Sequence, residues 1–236
     1  MMPNNVLVLK VGGSIIYDQL LNINFDLFKK LKVWYHENKK EYDRIVLVTG
    51  GGGLSRSMQS RLSGNIGNDT HLHSIAMSLT QTNAMILASF LEDDSIFVPK
   101  KLGDAYEYLT DSSTKNMVSG GLKIGWSTDM DTAVFADILE SDRMYKISNI
   151  DYVYDKDPKE FFDAKPIKDM TWKDFFKQFK ITMGEQHIPN IRTPIDVGCV
   201  QFCAKKELSF MISGGRTLDE IDDIKKLLQT GTFIHP

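Results

Sequence analysis

Short apolar runs alternate along the chain with longer stretches in which apolar residues recur every three or four positions. This is the pattern of an α/β domain on a largely parallel sheet. The short runs predict strands near 6–10, 45–49, 95–98, 144–149 and 208–212. The longer ones predict helices over 24–38, 54–62, 70–92, 129–140, 171–178, 194–205 and 217–228. Asn24, Ser127 or Thr128, Thr171, Thr193 and Thr217 stand where a side-chain oxygen accepts the first free amides of those helices. Between 99 and 127 the pattern breaks, and Gly120-Gly121 and Gly125 suggest hairpins or a mobile cover. No internal repeat or low-complexity linker is visible, so residues 1–236 are read as a single domain with two lobes.

Composition narrows the chemistry. At 42% hydrophobic residues, 236 positions suffice for a proper core. The 28 basic and 31 acidic residues nearly cancel, so bulk charge draws the chain neither to nucleic acid nor to a membrane surface. A small-molecule substrate is the better expectation. Cys199 and Cys203 lie four apart in a helical stretch and share a face, which points to buried thiols and a reducing cytoplasm rather than a disulfide framework. The opening Met-Met-Pro-Asn-Asn lacks the basic and apolar regions of a secretion signal, and no run is expected to span a bilayer.

Glycine marks the ends of the first two strands. Lys10-Val11-Gly12-Gly13-Ser14 follows one, and Gly50-Gly51-Gly52-Gly53 the other. Glycine lets backbone amides approach a phosphate, and a helix start adds partial positive charge. Glycine after a strand is also ordinary turn chemistry, but two such loops, one with a lysine at its mouth, favour phosphate binding. Neither spells a Walker loop or G-x-G-x-x-G.

Ligands of open α/β sheets sit beyond the carboxyl ends of the strands, which gathers the segments 10–14, 50–56, 125–129 and 148–158. Lys10 emerges from an apolar strand, suited to charge developing in phosphoryl transfer. Arg56 stands near a helix start, where a guanidinium grips phosphate with two donors. In Ser127-Thr128-Asp129-Met130-Asp131 both carboxylates have a sufficient structural role in the first turn of a helix, yet Asp129 is also placed to orient Lys10, with Thr128 toward an acceptor. Ser148-Asn149-Ile150-Asp151 leads through Tyr154 to Asp157-Pro158, a turn whose aromatic ring and carboxylate could flank a purine nucleoside.

Together these segments resemble the amino acid kinase superfamily. Val-Leu-Lys-Val-Gly-Gly-Ser is similar to its opening strand and loop, Val-Thr-Gly-Gly-Gly-Gly-Leu-Ser-Arg to its second glycine loop, and Ser-Thr-Asp-Met-Asp-Thr-Ala to its Thr-Asp helix start. Asn-Ile-Asp-Tyr-Val-Tyr-Asp-Lys-Asp-Pro-Lys resembles the family's nucleotide signature, and Gly-Thr-Phe-Ile-His-Pro its closing strand. The arginine after the second loop and the helix through Leu79 to Asn83 look most like the bacterial and archaeal UMP kinases.

That resemblance implies a three-layer α/β sandwich with an acceptor-side N-terminal lobe and an ATP-side C-terminal lobe. It implies transfer of the γ-phosphate of ATP to UMP, with Mg2+ on the nucleotide, in a cytoplasmic homohexamer. Lys10, Asp129 and Arg56 would be the catalytic set. Gly12, Gly13 and Gly51 would hold the ATP phosphates, and Ser148, Asn149, Tyr154 and Asp157 the adenosine. Gly50 and Thr128 would face UMP.

Two positions depart from the family pattern. His73 stands where UMP kinases carry an aspartate for the acceptor ribose; an imidazole accepts one hydrogen bond and donates one, so the sugar contact must differ. Tyr152 replaces a glycine, and a positive φ there would strain it or rebuild the loop. The open alternatives are a kinase for another small phosphate or carboxylate, or an ATP- and oxyanion-binding storage protein resembling molybdenum storage proteins. His71 and His73 are two apart and do not share a helix face, which argues against one shared metal.

Overall fold

A computed structural model describes residues 5–113, 115–158, 160–184, 193–215 and 224–236. Its strands are β1 (Val6–Val11), β2 (Arg44–Thr49), β3 (Met117–Ser119), β4 (Arg143–Ser148), β5 (Val153–Tyr154), β6 (Pro166–Ile167), β7 (Asp169–Thr171), β8 (Ser209–Gly214) and β9 (Thr232–His235). Seven of them form one sheet in the order β3-β2-β1-β4-β8-β9-β7, and β5 and β6 pair separately. Within the large sheet only β8 and β9 run antiparallel. This is the expected largely parallel α/β sandwich, with helices on both faces.

Alternation along β1 builds the two sides. Leu7, Leu9 and Val11 enter a core with α1 (Gly13–Ile16), α2 (Phe25–Asn38) and the long α4, Asp69–Leu91. Val8 joins the opposite core, with α5 (Leu102–Thr110), α6 (Thr128–Ile138), α7 (Trp172–Gln178) and α8 (Val197–Lys206). Lys10 has the parity of Val8 and therefore faces the α6 layer. The remaining helices are α3 (Gly52–Leu62), after the second glycine loop, and α9 (Ile224–Leu227).

Asn24 caps α2 by accepting from the Leu27 amide, and Thr171 caps α7 in a reciprocal box with Asp174. Ser127, rather than Thr128, caps α6, accepting from Met130. Four expectations need correction. The run 95–98 makes a bridge between Phe97 and Met117 rather than a strand, and the edge beside β2 is the three-residue β3. The stretch 99–127, expected as hairpins or a mobile cover, holds α5, whose Ala105 and Leu109 are buried. Residues 194–205 start their helix at Val197, because Asp196 takes the Cys199 amide where Thr193 was expected to cap. Finally, α4 is long and apolar enough to cross a membrane by length and composition alone, against the expectation of no such run; here it packs on α2, α3 and the sheet. Most of the predicted helix 217–228, with Thr217, lies outside the described residues, and 224–227 is helical.

Candidate active site

The parallel register of β1 and β4 sets Lys10 directly beside Lys146. Both side chains leave the sheet on the face covered by α6, and both residues are buried, at 4% and 9% exposure. Two adjacent buried ammoniums require a counter-charge. Asp129, in the first turn of α6, supplies it: Oδ1 lies 3.0 Å from Lys10 Nζ and Oδ2 2.7 Å from Lys146 Nζ. Lys10 also donates to the Thr128 hydroxyl, and Lys146 to the Pro194 carbonyl at 2.8 Å.

The electrostatics follow from sharing one carboxylate between two cations. Burial alone would push the Asp129 carboxyl up, but the fields and hydrogen bonds of the two lysines outweigh it and hold the group well below the ordinary range. Lys10 is shifted down, first by burial and then by Lys146, against the pull of Asp129. The carboxylate is thus firmly ionised, while the lysine site is short of negative charge. Such a site favours an incoming phosphate.

The two glycine loops meet backbone to backbone beside this cluster. A Cβ on Gly13 would stand 2.1 Å from the Gly52 nitrogen, and one on Gly52, whose φ is +63°, would stand 1.9 Å from the Gly13 carbonyl oxygen. Only glycine permits this approach. The glycines therefore have a packing role that the sequence did not show, in addition to leaving backbone open to a ligand. Asn83 fixes the second loop from α4, donating to the Gly50 carbonyl at 2.8 Å and accepting from Tyr17 at 2.5 Å.

A cleft of about 970 Å³ runs over both loops and past β4. It is lined by every predicted site residue except His73: Lys10, Gly12, Gly13, Gly50, Gly51 and Arg56 on one side, then Thr128, Asp129, Ser148, Asn149, Tyr154 and Asp157. His73 is exposed on α4 and does not line the cleft. Its face of the helix, shared with Met77 and Thr80, leads to Gly121 and Gly51 one to two turns further on. A neighbouring cavity of about 600 Å³ shares Ser14 and Asn149 but contains neither Lys10 nor Lys146, so the charged cluster belongs to the larger one.

Tyr152 also lines the cleft, edge-on to Tyr154 with ring centroids 6.4 Å apart. It is not among the residues of positive φ, so the loop accommodates a side chain without the strain considered above. Lys146 is the member of this charged cluster that the sequence pattern did not single out. Its signal was present: in Arg-Met-Tyr-Lys-Ile-Ser it shares the parity of buried Met144, and a lysine at an inward position of a central strand needs a partner. Cys199 and Cys203 are free, buried thiols with sulfurs 3.8 Å apart, on one face as expected.

A family model described as the amino acid kinase family matches residues 5–214. The uridylate kinase of Methanococcus aeolicus is 29% identical over 98% of this chain and 99% of its own length, and that of Methanococcus vannielii is 30% identical with the same coverage. Among solved structures, the uridylate kinase of Archaeoglobus fulgidus superposes with a TM-score of 0.76 at 22% identity, covering 98% of this chain and 99% of its own. The UMP kinase of Bacillus anthracis gives the same score at 17% identity, covering 99% of this chain and 96% of its own. The family model's match over most of the chain's length means that the chain belongs to the amino acid kinase family.

Proposed function

We propose that the protein is a nucleoside monophosphate kinase that transfers the γ-phosphoryl group of ATP to UMP, yielding ADP and UDP. The Lys10–Asp129–Lys146 cluster at the junction of two glycine loops carries this reading, and the full-length likeness to uridylate kinases supports it. In the reaction the bond from the γ-phosphorus to its bridging oxygen breaks, and a phosphate oxygen of UMP forms the new one. The acceptor needs no general base, because the second ionisation of a phosphate monoester lies near pH 6. Catalysis is then positioning and charge stabilisation.

Lys10 and Lys146 neutralise the transferring group, with Asp129 holding both in place. Gly12, Gly13 and Gly51 present backbone to the ATP phosphates, and Ser148, Asn149, Tyr154 and Asp157 flank the adenosine. Gly50 and Thr128 face UMP, and Arg56 holds its phosphate. His73 stands outside the cleft lining, so the acceptor contacts fall to the cleft residues. The N-terminal lobe is thus the acceptor side and the C-terminal lobe the ATP side of one domain.

Mg2+ enters with the nucleotide. Both Asp129 oxygens are taken by lysines, and among the described residues no group of three or more His, Cys, Asp or Glu side chains is arranged for a metal. Magnesium characteristically binds through substrate phosphates and water with few protein ligands. A cytoplasmic homo-oligomer, a hexamer by family likeness, fits the free thiols and the half-exposed Phe25, Val33 and Met85 on α2 and α4.

The test is ADP formation from ATP and Mg2+ with a panel of nucleoside monophosphates and small carboxylates. UMP is expected to give the highest kcat/KM. A different preferred acceptor would move the reading to another small phosphate or carboxylate. Bound ATP with no turnover on any acceptor would replace catalysis by storage.

A further inference from the structure

The first turn of α6 carries a second carboxyl that the reaction outlined above does not use. Asp131 is fully buried, and neither of its oxygens has a hydrogen-bond partner. It lies two residues past Asp129, hence on another side of the helix. There the Leu122 amide comes close enough to favour the ionised form without reaching hydrogen-bond geometry.

The charged groups around it are few. On β1 it is Lys10 whose field reaches Asp131, and the effect is mutual. On β4, Lys146 is bound to Asp129, and β2 ends at this level in Thr49, which is not ionisable. On α8, Asp196 caps its own helix, while Asp104 and Glu107 of α5 are exposed. No cation is therefore dedicated to Asp131 among the described residues. A buried carboxyl without one favours its neutral form.

We propose that Asp131 is a positioning residue for phosphoryl transfer: it works as the neutral acid, so that the cluster beside it keeps one surplus positive charge for the phosphates. This rests on the kinase reading above. Two ammoniums against the single Asp129 carboxylate leave that one positive charge, and an ionised Asp131 would cancel it. Burial raises the Asp131 carboxyl to about 7, beyond the opposing pulls of the Leu122 amide and Lys10. Anionic phosphates arriving at Lys10 disfavour its ionisation further, so binding draws in a proton.

Two measurements test this. In pH profiles of kcat/KM, which report groups of the free enzyme, the wild type is expected to lose about 25-fold between pH 6.5 and 8.5. Asp131→Asn, permanently neutral and of the same shape, is expected to lose that limb while keeping the acid limb contributed by substrate phosphates. An unchanged alkaline limb in the variant overturns the proposal. The second measurement is calorimetry of ATP binding to the wild-type protein, repeated in buffers of different ionisation heat. Net proton uptake is expected to grow from pH 6 to pH 8, and none at pH 8 overturns the proposal even if the variant does not fold.

The calorimetric arm needs ATP binding but no turnover. A failure of the kinase reading would show instead as no transfer to any acceptor. A purely structural Asp131 would move only stability. Its folded value lies above the ordinary 3.8, so its contribution is present below about pH 4 and is lost as pH rises through about 7. The melting temperature of Asp131→Asn relative to wild type should therefore climb over that window.

Discussion

Replacing Lys10 by alanine is expected to lower kcat by about a thousandfold while leaving a folded protein that still binds ATP. The activity loss follows from position. Lys10 is the buried cation at the carboxyl end of β1, 3.0 Å from Asp129 and flanked by both glycine loops. No other described cation shares its register except Lys146, which acts from its own position and, tied to Asp129 and the Pro194 carbonyl, does not take the place of Lys10 beside Thr128. The fold survives for the same reason. Once Lys10 is gone, Asp129 keeps Lys146 at 2.7 Å, so no buried charge is left alone. Steady-state kinetics with ATP and UMP, beside nucleotide binding and thermal melting of the same variant, separate the two effects. A kcat within tenfold of wild type would remove Lys10 from the chemistry.

Asp129→Ala is expected to be the more damaging change to the protein itself. It strands two buried ammoniums, and breaking a buried ionic group in this way typically costs about 3–5 kcal/mol. Desolvated charges without a partner are the most expensive groups a core can hold. The sign with pH is fixed by the depressed carboxyl. Its stabilisation is complete above the ordinary carboxylate range and is lost only as pH falls below it, so the deficit from this group should be constant between about pH 5 and 8. Urea unfolding at those two pH values measures it. Activity should also disappear, because neither lysine is then held toward the phosphates. Asp129→Asn keeps the shape but not the charge, and should lie close to alanine in activity. A stability within about 1 kcal/mol of wild type would show that the lysines are balanced elsewhere.

Much of this was legible because apolar period and backbone direction agree at the centre of the sheet. Leu7, Leu9 and Val11 on one side of β1 and Val8 on the other produce the two cores that the sequence pattern implies. The edges were less legible. Met117–Ser119 is too short for a two-residue period to register, while the more apolar Ile96-Phe97-Val98 makes a single bridge before Pro99, which has no amide to donate. In α5, Leu102, Ala105 and Leu109 carried a helical period, but the surrounding glycines drew attention to turns. Nothing local distinguishes the antiparallel return of β9 onto β8, because that pairing is decided by tertiary packing.

The site divides in the same manner. Loop residues next to strand ends announced themselves by composition, and the cleft collects Lys10, the four glycines singled out, Arg56, Thr128 and Asp129 as expected. Lys146 did not, since it sits within a strand and acquires meaning only from its register opposite Lys10. Asp131 was explicable as a helix-start carboxylate, and only its burial without a partner sets it apart. His73 shows the converse: a sequence position implicated by likeness alone lies on an exposed turn of α4, outside the cleft lining.

The central claim is that the paired glycine loops and the Lys10–Asp129–Lys146 cluster move a phosphoryl group from ATP to UMP. Phosphorus-31 NMR of the protein with ATP, Mg2+ and UMP reads it directly. The account predicts that UDP and ADP appear in equal amounts, and that both fail to appear with Lys10→Ala. Unchanged UMP, whether ATP stays intact or decays to ADP and free phosphate, would contradict it.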